Sequence, residues 1–431
     1  MVKKAVGKTA GTPVRSKALP QEWCGAHYIG KEEIAAVTRV LKARSPFRYY
    51  GFDLQHEVSK LEKEFASYSG RKHAVAVSSG TAALQVALGA MGVGPGDEVL
   101  LPGYFWVATV GSVVRSGAVP VLVDCDDSFS IDPDKIEAKI TPRTKAVVIV
   151  HMGGVIGRVK DVVKIARKHK LMVIEDCAQA AGGSQNGVKA GAFGDIGIYS
   201  FQLNKNMTSG EGGMIVCDDP VLFNRCFAVH DLGYPRNAEG RLVFDNKDTQ
   251  LWGIGCRMSE LTGAVARVQL KKLDKICKAM RTAKNKIKAG IADIKGLTPR
   301  KVADPSGDCG NFLLLTLDDR KSSLEFVKLL RDEGIAADKD GMYPIHMDNW
   351  GLHIYYNIPS LVNKRGIAAK SVWDLKENSA SKISYTKGTC PHLDSLLQRT
   401  AIICVASVLT AGDVKDIIAA IRKTAARLSL C

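Results

Sequence analysis

Two apolar runs in this chain each deliver polar side chains of distinct chemistry at their ends. Leu171-Met172-Val173-Ile174 leads into Glu175-Asp176-Cys177-Ala178-Gln179. Ile196-Gly197-Ile198-Tyr199 leads into Ser200, and Lys205 follows in a stretch that ends Gly210-Glu211-Gly212-Gly213. An acid, an amide, a hydroxyl and an amine, each placed just past a strand, are the groups that hold pyridoxal phosphate. In that chemistry the lysine forms a Schiff base, and a carboxylate pairs with the ring nitrogen so that the ring acts as an electron sink.

Each group also has a plainer reading. Ser78-Ser79-Gly80-Thr81 places glycine and hydroxyls where a strand gives way to an Ala/Leu-rich helix, and the amides there favour a phosphate. Ser79 or Thr81 would equally serve as an ordinary helix cap. Ser200 is a second phosphate ligand or a turn cap. Asp176 ends a buried strand and needs a partner, which a protonated ring nitrogen or a salt bridge would supply. Gln179 reaches a cofactor oxygen or satisfies a backbone group. Pro102-Gly103-Tyr104-Phe105-Trp106 offers an aromatic plane to stack on the cofactor ring, or adds to the core. Glu211 reads as a brace behind Lys205. The joint order of these groups on successive strand ends carries the signal.

The elements that must position them alternate. Helical periodicity runs over Glu32–Lys42 and Leu54–Tyr68, a strand over His73–Val77 and a helix over Ala82–Met91. Strands follow at Val99–Leu101, Val119–Val123, Ala146–Val150 and Leu171–Ile174, separated by helical stretches at Trp106–Ser116, Ile131–Ile140 and Asp161–Lys170. Short apolar strands between amphipathic helices predict an α/β fold with a mostly parallel sheet covered on both faces. Ligands in such sheets sit beyond the strand C-termini, where His151, Asp176 and Ser200 lie. A long helical stretch from Arg257 to about Ile294 precedes a smaller α+β unit. The expected organisation is a flexible basic tail over 1–20, a large cofactor-binding domain over 21–290 and a small C-terminal domain over 291–431.

The 431 residues suffice for two cores, and 46% apolar with 24% charged content is ordinary for a globular protein. No apolar run reaches the roughly 18 residues of a membrane span. Met1–Leu19 is basic and lacks the apolar core of a secretory signal. The 11 cysteines show no C-x-x-C spacing, which predicts reduced thiols in the cytoplasm and no zinc site or disulfide framework. No metal-ligand spacing occurs among the 9 histidines. The net charge of +16 is spread over helix faces such as Lys164–Lys170, so it argues for an anionic small molecule over nucleic acid.

Taken together, these stretches resemble the sugar aminotransferases of the DegT/DnrJ/EryC1/StrS family, which are fold-type I pyridoxal-phosphate enzymes. The resemblance rests on Val77-Ser78-Ser79-Gly80-Thr81-Ala82-Ala83-Leu84, Glu175-Asp176-Cys177-Ala178-Gln179-Ala180, Ser200-Phe201 with Lys205, Gly210-Glu211-Gly212-Gly213 and Arg257-Met258-Ser259-Glu260-Leu261. It implies Lys205 as the Schiff-base lysine and proton shuttle, Asp176 against the ring nitrogen and Gln179 near the phenolic oxygen. Trp106 would stack on the ring, and Gly80, Thr81 and Ser200 would hold the phosphate. A lysine at 205 implies an aminotransferase, since the family's dehydratase branch carries histidine there. The resemblance also implies a homodimer with active sites at the interface. It departs at Gly253-Ile254-Gly255-Cys256-Arg257, where the family often has an asparagine that reaches the partner's cofactor phosphate. Here Gly255 has only its backbone N–H to offer.

The implied reaction takes an amino group from glutamate or glutamine and gives it to a keto-sugar, keto-sugar acid or keto-cyclitol. Arg48, Tyr49 and Tyr50 in the aromatic loop, and His346 in the smaller unit, are the candidates to meet that acceptor; packing is their plainer role. Phe47-Arg48-Tyr49, Val150-His151-Met152-Gly153-Gly154 and Asn349-Trp350 resemble both the branch that aminates an eight-carbon octulosonate and antibiotic-pathway members. A different class stays open: a cofactor-binding regulatory protein of the same fold without turnover.

Overall fold

The computed structural model describes residues 12–237, 239–244, 249–337 and 341–430. Seven strands make the central sheet: β1 (His73–Val77), β2 (Glu98–Pro102), β3 (Val119–Val123), β4 (Thr144–Val150), β5 (Met172–Asp176), β8 (Ile196–Ser200) and β9 (Gly213–Cys217). A short hairpin, β6 (Ser184–Gln185) and β7 (Val188–Lys189), lies between β5 and β8. The sheet order is β1-β9-β8-β5-β4-β2-β3. Neighbours from β8 through β3 run parallel, and β9 alone is antiparallel to both of its neighbours.

Alternate residues along each strand enter opposite layers, as the pleat requires. Val99, Leu101, Val148 and Ile174 pack on one face. Leu100, Val147, Ile149 and Val173 pack on the other. Both faces are covered by helices, so the strands read as unbroken apolar runs. The covering helices of this part are α1 (Lys31–Lys42), α2 (Glu57–Ser69), α3 (Gly80–Ala90), α4 (Val107–Arg115), α5 (Val159–Lys168), α6 (Pro220–His230) and α7 (Glu260–Gly290).

The large unit departs from the sequence expectation at three elements. Ile131–Ile140 forms short 3-10 turns at Pro133–Lys135 and Glu137–Lys139, not one helix. Asp132 caps the first turn, but Pro142 biases the residue before it away from helix, so the stretch is too short to propagate. Strand β9 and helix α6 were not anticipated. Gly210 to Gly213 reads as loop, yet Gly213 opens a strand that burial in the sheet interior stabilises. Asp219 then caps α6, with Pro220 at its first position.

The smaller unit carries a four-stranded antiparallel sheet of β10 (Thr298–Pro299), β11 (Phe312–Thr316), β12 (Ile345–His346) and β13 (Thr400–Cys404), in the order β10-β11-β13-β12. Its helices are α8 (Arg320–Asp332), the short α9 (Pro359–Val362), α10 (Pro391–Arg399) and α11 (Ala411–Arg427). Helix α7 packs on α1, α2 and α11, so one rod serves both units. Residues 1–11 of the expected free tail lie outside the described residues. From Thr12 onward the stretch is docked: Val14 N–H donates to Glu333 at 2.9 Å, and Arg15 pairs with Asp413 at 2.7 Å and Asp416 at 2.8 Å. Charge just past the end of α8 and on α11 thus overrides the composition that suggested a flexible segment as far as residue 20.

Candidate active site

Beyond the C-terminal ends of β4, β5 and β8 lies a cavity of about 280 Å³ lined by Gly80, Thr81, Trp106, Asp176, Gln179, Ser200 and Lys205. The parallel register brings Val150 level with Asp176 and Asp176 level with Ile198. Side chains distant in sequence therefore converge at one sheet edge.

Asp176 closes β5 with 4% of its surface exposed. A buried carboxylate needs donors. The Thr109 hydroxyl donates to it at 2.7 Å and the Ala178 N–H at 3.1 Å. Burial still raises its pKa above the ordinary range, opposed by those donors and by the charges of Lys205 and His151. Burial likewise lowers the Lys205 ammonium, partly offset by Asp176 and Glu211. The pair thus shares one electrostatic environment.

The turn that carries Lys205 is pinned along its length. Lys205 N–H donates to Gln202 O at 3.0 Å, and Lys205 O accepts from Gly25 N–H at 2.9 Å. Asn206 Nδ2 donates to Ala181 O at 2.9 Å, and the Thr208 hydroxyl to Phe201 O at 3.0 Å. A Cβ on Gly25 would lie 3.0 Å from Lys205 O, so glycine there lets the N-terminal segment press on the lysine turn.

Ser79 caps α3, its Oγ accepting from Ala82 N–H at 3.0 Å. That leaves the first amides of the helix, at Gly80 and Thr81, facing the cavity as anion donors. Ser200 approaches this end so closely that a Cβ on Gly80 would lie 2.7 Å from Ser200 Cβ. Capping by the Ser79 side chain therefore leaves these backbone amides available to an anion. The Gln179 carboxamide is oriented by Gly153 N–H, which donates to its Oε1 at 2.9 Å. Since an amide N–H can only donate, the NH₂ end of Gln179 is the end left for a ligand.

Trp106 precedes α4 and is 42% exposed. Its ring meets that of His353 at 4.7 Å and 46°, and His353 stacks on Trp350 at 4.1 Å and 14°. Neither Thr109 nor His353 stood out in the sequence. Thr109 was legible only as one turn after Trp106 on the same helix.

The Arg48, Tyr49, Tyr50 and His346 candidates do not line the cavity. Arg48 is buried and forked onto Glu62 at 2.9 and 2.8 Å, with its guanidinium over the Tyr49 ring. The Tyr49 hydroxyl meets His230 Nε2 at 3.2 Å, and Tyr50 faces solvent. His346 is sealed in the smaller unit between Ser323 Oγ at 2.9 Å and Gln398 O at 3.0 Å. Gly255 N–H, the group left to replace a family asparagine, donates to Asp231 O at 2.8 Å and is already engaged.

His151, which lines the cavity, and Glu175 and Cys177 behind it bring ligating atoms within 4.8 Å of one another. Glu175 is saturated, accepting from Gly191, Phe193 and Gly194 N–H at 2.9, 2.6 and 2.7 Å and meeting His151 Nε2 at 3.0 Å. Such a carboxylate anchors the sheet edge; it has no lone pair facing an ion.

The donor set fits pyridoxal phosphate: anion-binding amides and Ser200 at one end, a buried carboxylate at the other, an amine, an amide NH₂ and an aromatic plane between. A model of the DegT/DnrJ/EryC1/StrS aminotransferase family matches residues 27–353. The chain is 31% identical over 405 residues to the spore coat polysaccharide biosynthesis protein SpsC of Bacillus subtilis, covering 91% of this chain and 94% of that protein. It is 37% identical to the L-glutamine:2-deoxy-scyllo-inosose aminotransferase of Streptomyces kanamyceticus, covering 68% of each. Among solved structures, DesV of S. venezuelae in complex with a ketimine intermediate superposes with a TM-score of 0.72 at 26% identity, covering 91% of this chain and 95% of that one.

Proposed function

The chain belongs to the DegT/DnrJ/EryC1/StrS aminotransferase family and is a pyridoxal-phosphate-dependent transaminase; from that premise we propose that it moves an amino group from glutamine or glutamate to a keto-sugar, keto-sugar acid or keto-cyclitol. The observation that carries this reading is the single cavity shared by Lys205 and Asp176 under the N-terminus of α3. The relatives that use L-glutamine and scyllo-inosose derivatives support the donor and the acceptor class.

Each residue has a separable task. Gly80 and Thr81 amides with the Ser200 hydroxyl hold the phosphate, and Trp106 covers the ring. Asp176 holds a proton on the ring nitrogen, and Gln179 NH₂ donates to the phenolic oxygen. Lys205 Nζ would hold the cofactor and, as a free amine, would carry the proton that leaves and rejoins carbon during the exchange. Its lowered pKa favours the free amine that this role requires. Pyridoxal phosphate held by these residues would supply the electron sink. Reversal of the same proton movements by Lys205 aminates the incoming ketone.

We also propose a homodimer that works in the cytoplasm. Phe52, Phe244 and Trp252 are 83%, 71% and 93% exposed, large apolar side chains that a second copy would cover. The described cysteines are free thiols, as a reducing compartment maintains them. No helix among the described residues is long and apolar enough to cross a membrane.

The test mixes the holoenzyme with glutamine or glutamate and follows conversion of the bound cofactor to its pyridoxamine form. Keto-sugars and keto-cyclitols are then screened for reoxidation, and sedimentation gives the assembly. Failure of both donors to convert the cofactor overturns the donor assignment. Donor turnover without any sugar or cyclitol acceptor overturns the acceptor class.

A further inference from the structure

Trp106 is 42% exposed, and the ring that meets its indole comes from the smaller unit. His353 lies 4.7 Å from the indole, and behind it Trp350 stacks on the imidazole at 4.1 Å. Trp350 is 2% exposed and wedged against Tyr104, Phe312 and Tyr343. The backbones are joined as well. Phe105 N–H donates to His353 O at 3.1 Å, Tyr355 N–H donates to Gly103 O at 3.2 Å, and Tyr104 pairs with Ile354 as an isolated bridge.

The imidazole is held in one state. Its Nδ1 donates to Trp350 O at 2.9 Å, and among the described residues Nε2 makes no hydrogen bond. Burial pushes the ring down to about 4, against the raising effect of the Trp350 carbonyl and with a further push from the Lys205 charge. At working pH it is a flat, uncharged ring between two indoles.

We propose that His353 is a positioning residue that fixes the plane of Trp106, so that Trp350, His353 and Trp106 form a ladder of rings from the smaller unit to the face of the cofactor. The inference rests on Trp106 being the ring that covers the cofactor. Its chemical requirement is a ring at 353, not a hydrogen-bonding group. A flexible side chain there would leave the indole free to rotate off the cofactor plane.

The test uses reconstituted holoenzyme, reading the pyridoxal phosphate Kd and the visible circular dichroism of the bound cofactor. His353→Gln, polar and without a ring, is expected to weaken Kd roughly fivefold and to reduce the visible ellipticity by a similar factor, the scale of one lost aromatic contact. His353→Phe restores both to within about twofold of wild type. Trp106→Ala shows the loss of His353→Gln or more, and the double variant loses nothing further, because both act through one ring. A wild-type His353→Gln, a His353→Phe as impaired as His353→Gln, or additive losses in the double variant would overturn the proposal. Should His353→Gln fail to fold, the phenylalanine variant and its combination with Trp106→Ala decide it alone. Wild-type protein that binds no cofactor would instead defeat the reading of the site itself.

Discussion

The Thr109 hydroxyl donates to the Asp176 carboxylate at 2.7 Å, joining the first turn of α4 to the end of β5 with both groups nearly sealed from water. Trp106 lies one turn before Thr109, so one helix start positions both the indole and the donor to the carboxylate. Thr109→Val keeps the shape and removes the donor. A hydrogen bond to a charged group contributes about 1.5–3 kcal/mol, so kcat/KM should fall roughly 10- to 100-fold. Thr109→Ser should restore most of it. Steady-state kinetics of both variants check this.

Lys205→Ala should fold and lose the visible band of lysine-bound cofactor, with transamination reduced at least about 10²- to 10⁴-fold, the range of a positioned general base. Absorbance and activity are read on the same sample. Retention of both would remove Lys205 from its assigned role.

Asp176→Asn should stabilise the apoprotein while disabling it. Burial raises the folded pKa of Asp176 above its ordinary 3.8. The folded state therefore holds that proton more tightly than the unfolded chain does. Stability is lost as pH rises from the ordinary value through the folded one, and neutral pH carries the full cost. The asparagine variant should melt about one to three degrees higher than wild-type apoprotein at pH 7, and the gap should close near pH 3. Thermal melts across pH measure it.

Gly80→Ala places a Cβ 2.7 Å from Ser200 Cβ at the phosphate end of the cavity. One of the two elements must move, at about 1–3 kcal/mol. Cofactor Kd should rise by roughly tenfold or more, and pyridoxamine phosphate should be affected equally, since both share the phosphate. Equilibrium dialysis with each form tests this.

Glu175→Gln probes the anchor behind the cavity. Burial alone would raise this carboxyl, but His151 and the Gly194 and Gly191 amides hold it below its ordinary 4.5. A depressed folded pKa contributes stability above the ordinary value, and that stability disappears as pH falls through the folded one. The variant should lose about 3 kcal/mol at pH 7 and show a flatter acid limb than wild type below about pH 4.5. Denaturant melts at pH 7 and in the acid range give both numbers.

Much of this was legible along the chain. The apolar runs of β4, β5 and β8 announced a buried parallel sheet, because strands covered on both faces have no polar side to alternate with. The order of Asp176, Gln179, Ser200 and Lys205 pointed to cofactor chemistry because residue type limits what each can donate, accept or bond. Strand β9 escaped notice because its signal is a four-residue apolar run after glycines, which only the sheet interior converts into a strand. Arg48 and His346 looked like ligands for an anionic acceptor because sequence shows their charge and hydrogen-bonding capacity but not their partners. Glu62, Ser323 and Gln398 consume those capacities in the fold.

By itself the sequence determined the cofactor chemistry, since an amine, a carboxylate and a phosphate cradle at successive strand ends suit pyridoxal phosphate, and the resemblance to the aminotransferase family implied the reaction. Only the tertiary structure decided which side chains share the cavity. Parallel register levels the ends of β4, β5 and β8, so residues far apart in the chain meet there. The smaller unit then adds Trp350 and His353 from more than 140 residues beyond Lys205. Contacts of that range carry no local pattern, because they depend on how two packed units close on each other and not on the spacing of neighbours along the backbone.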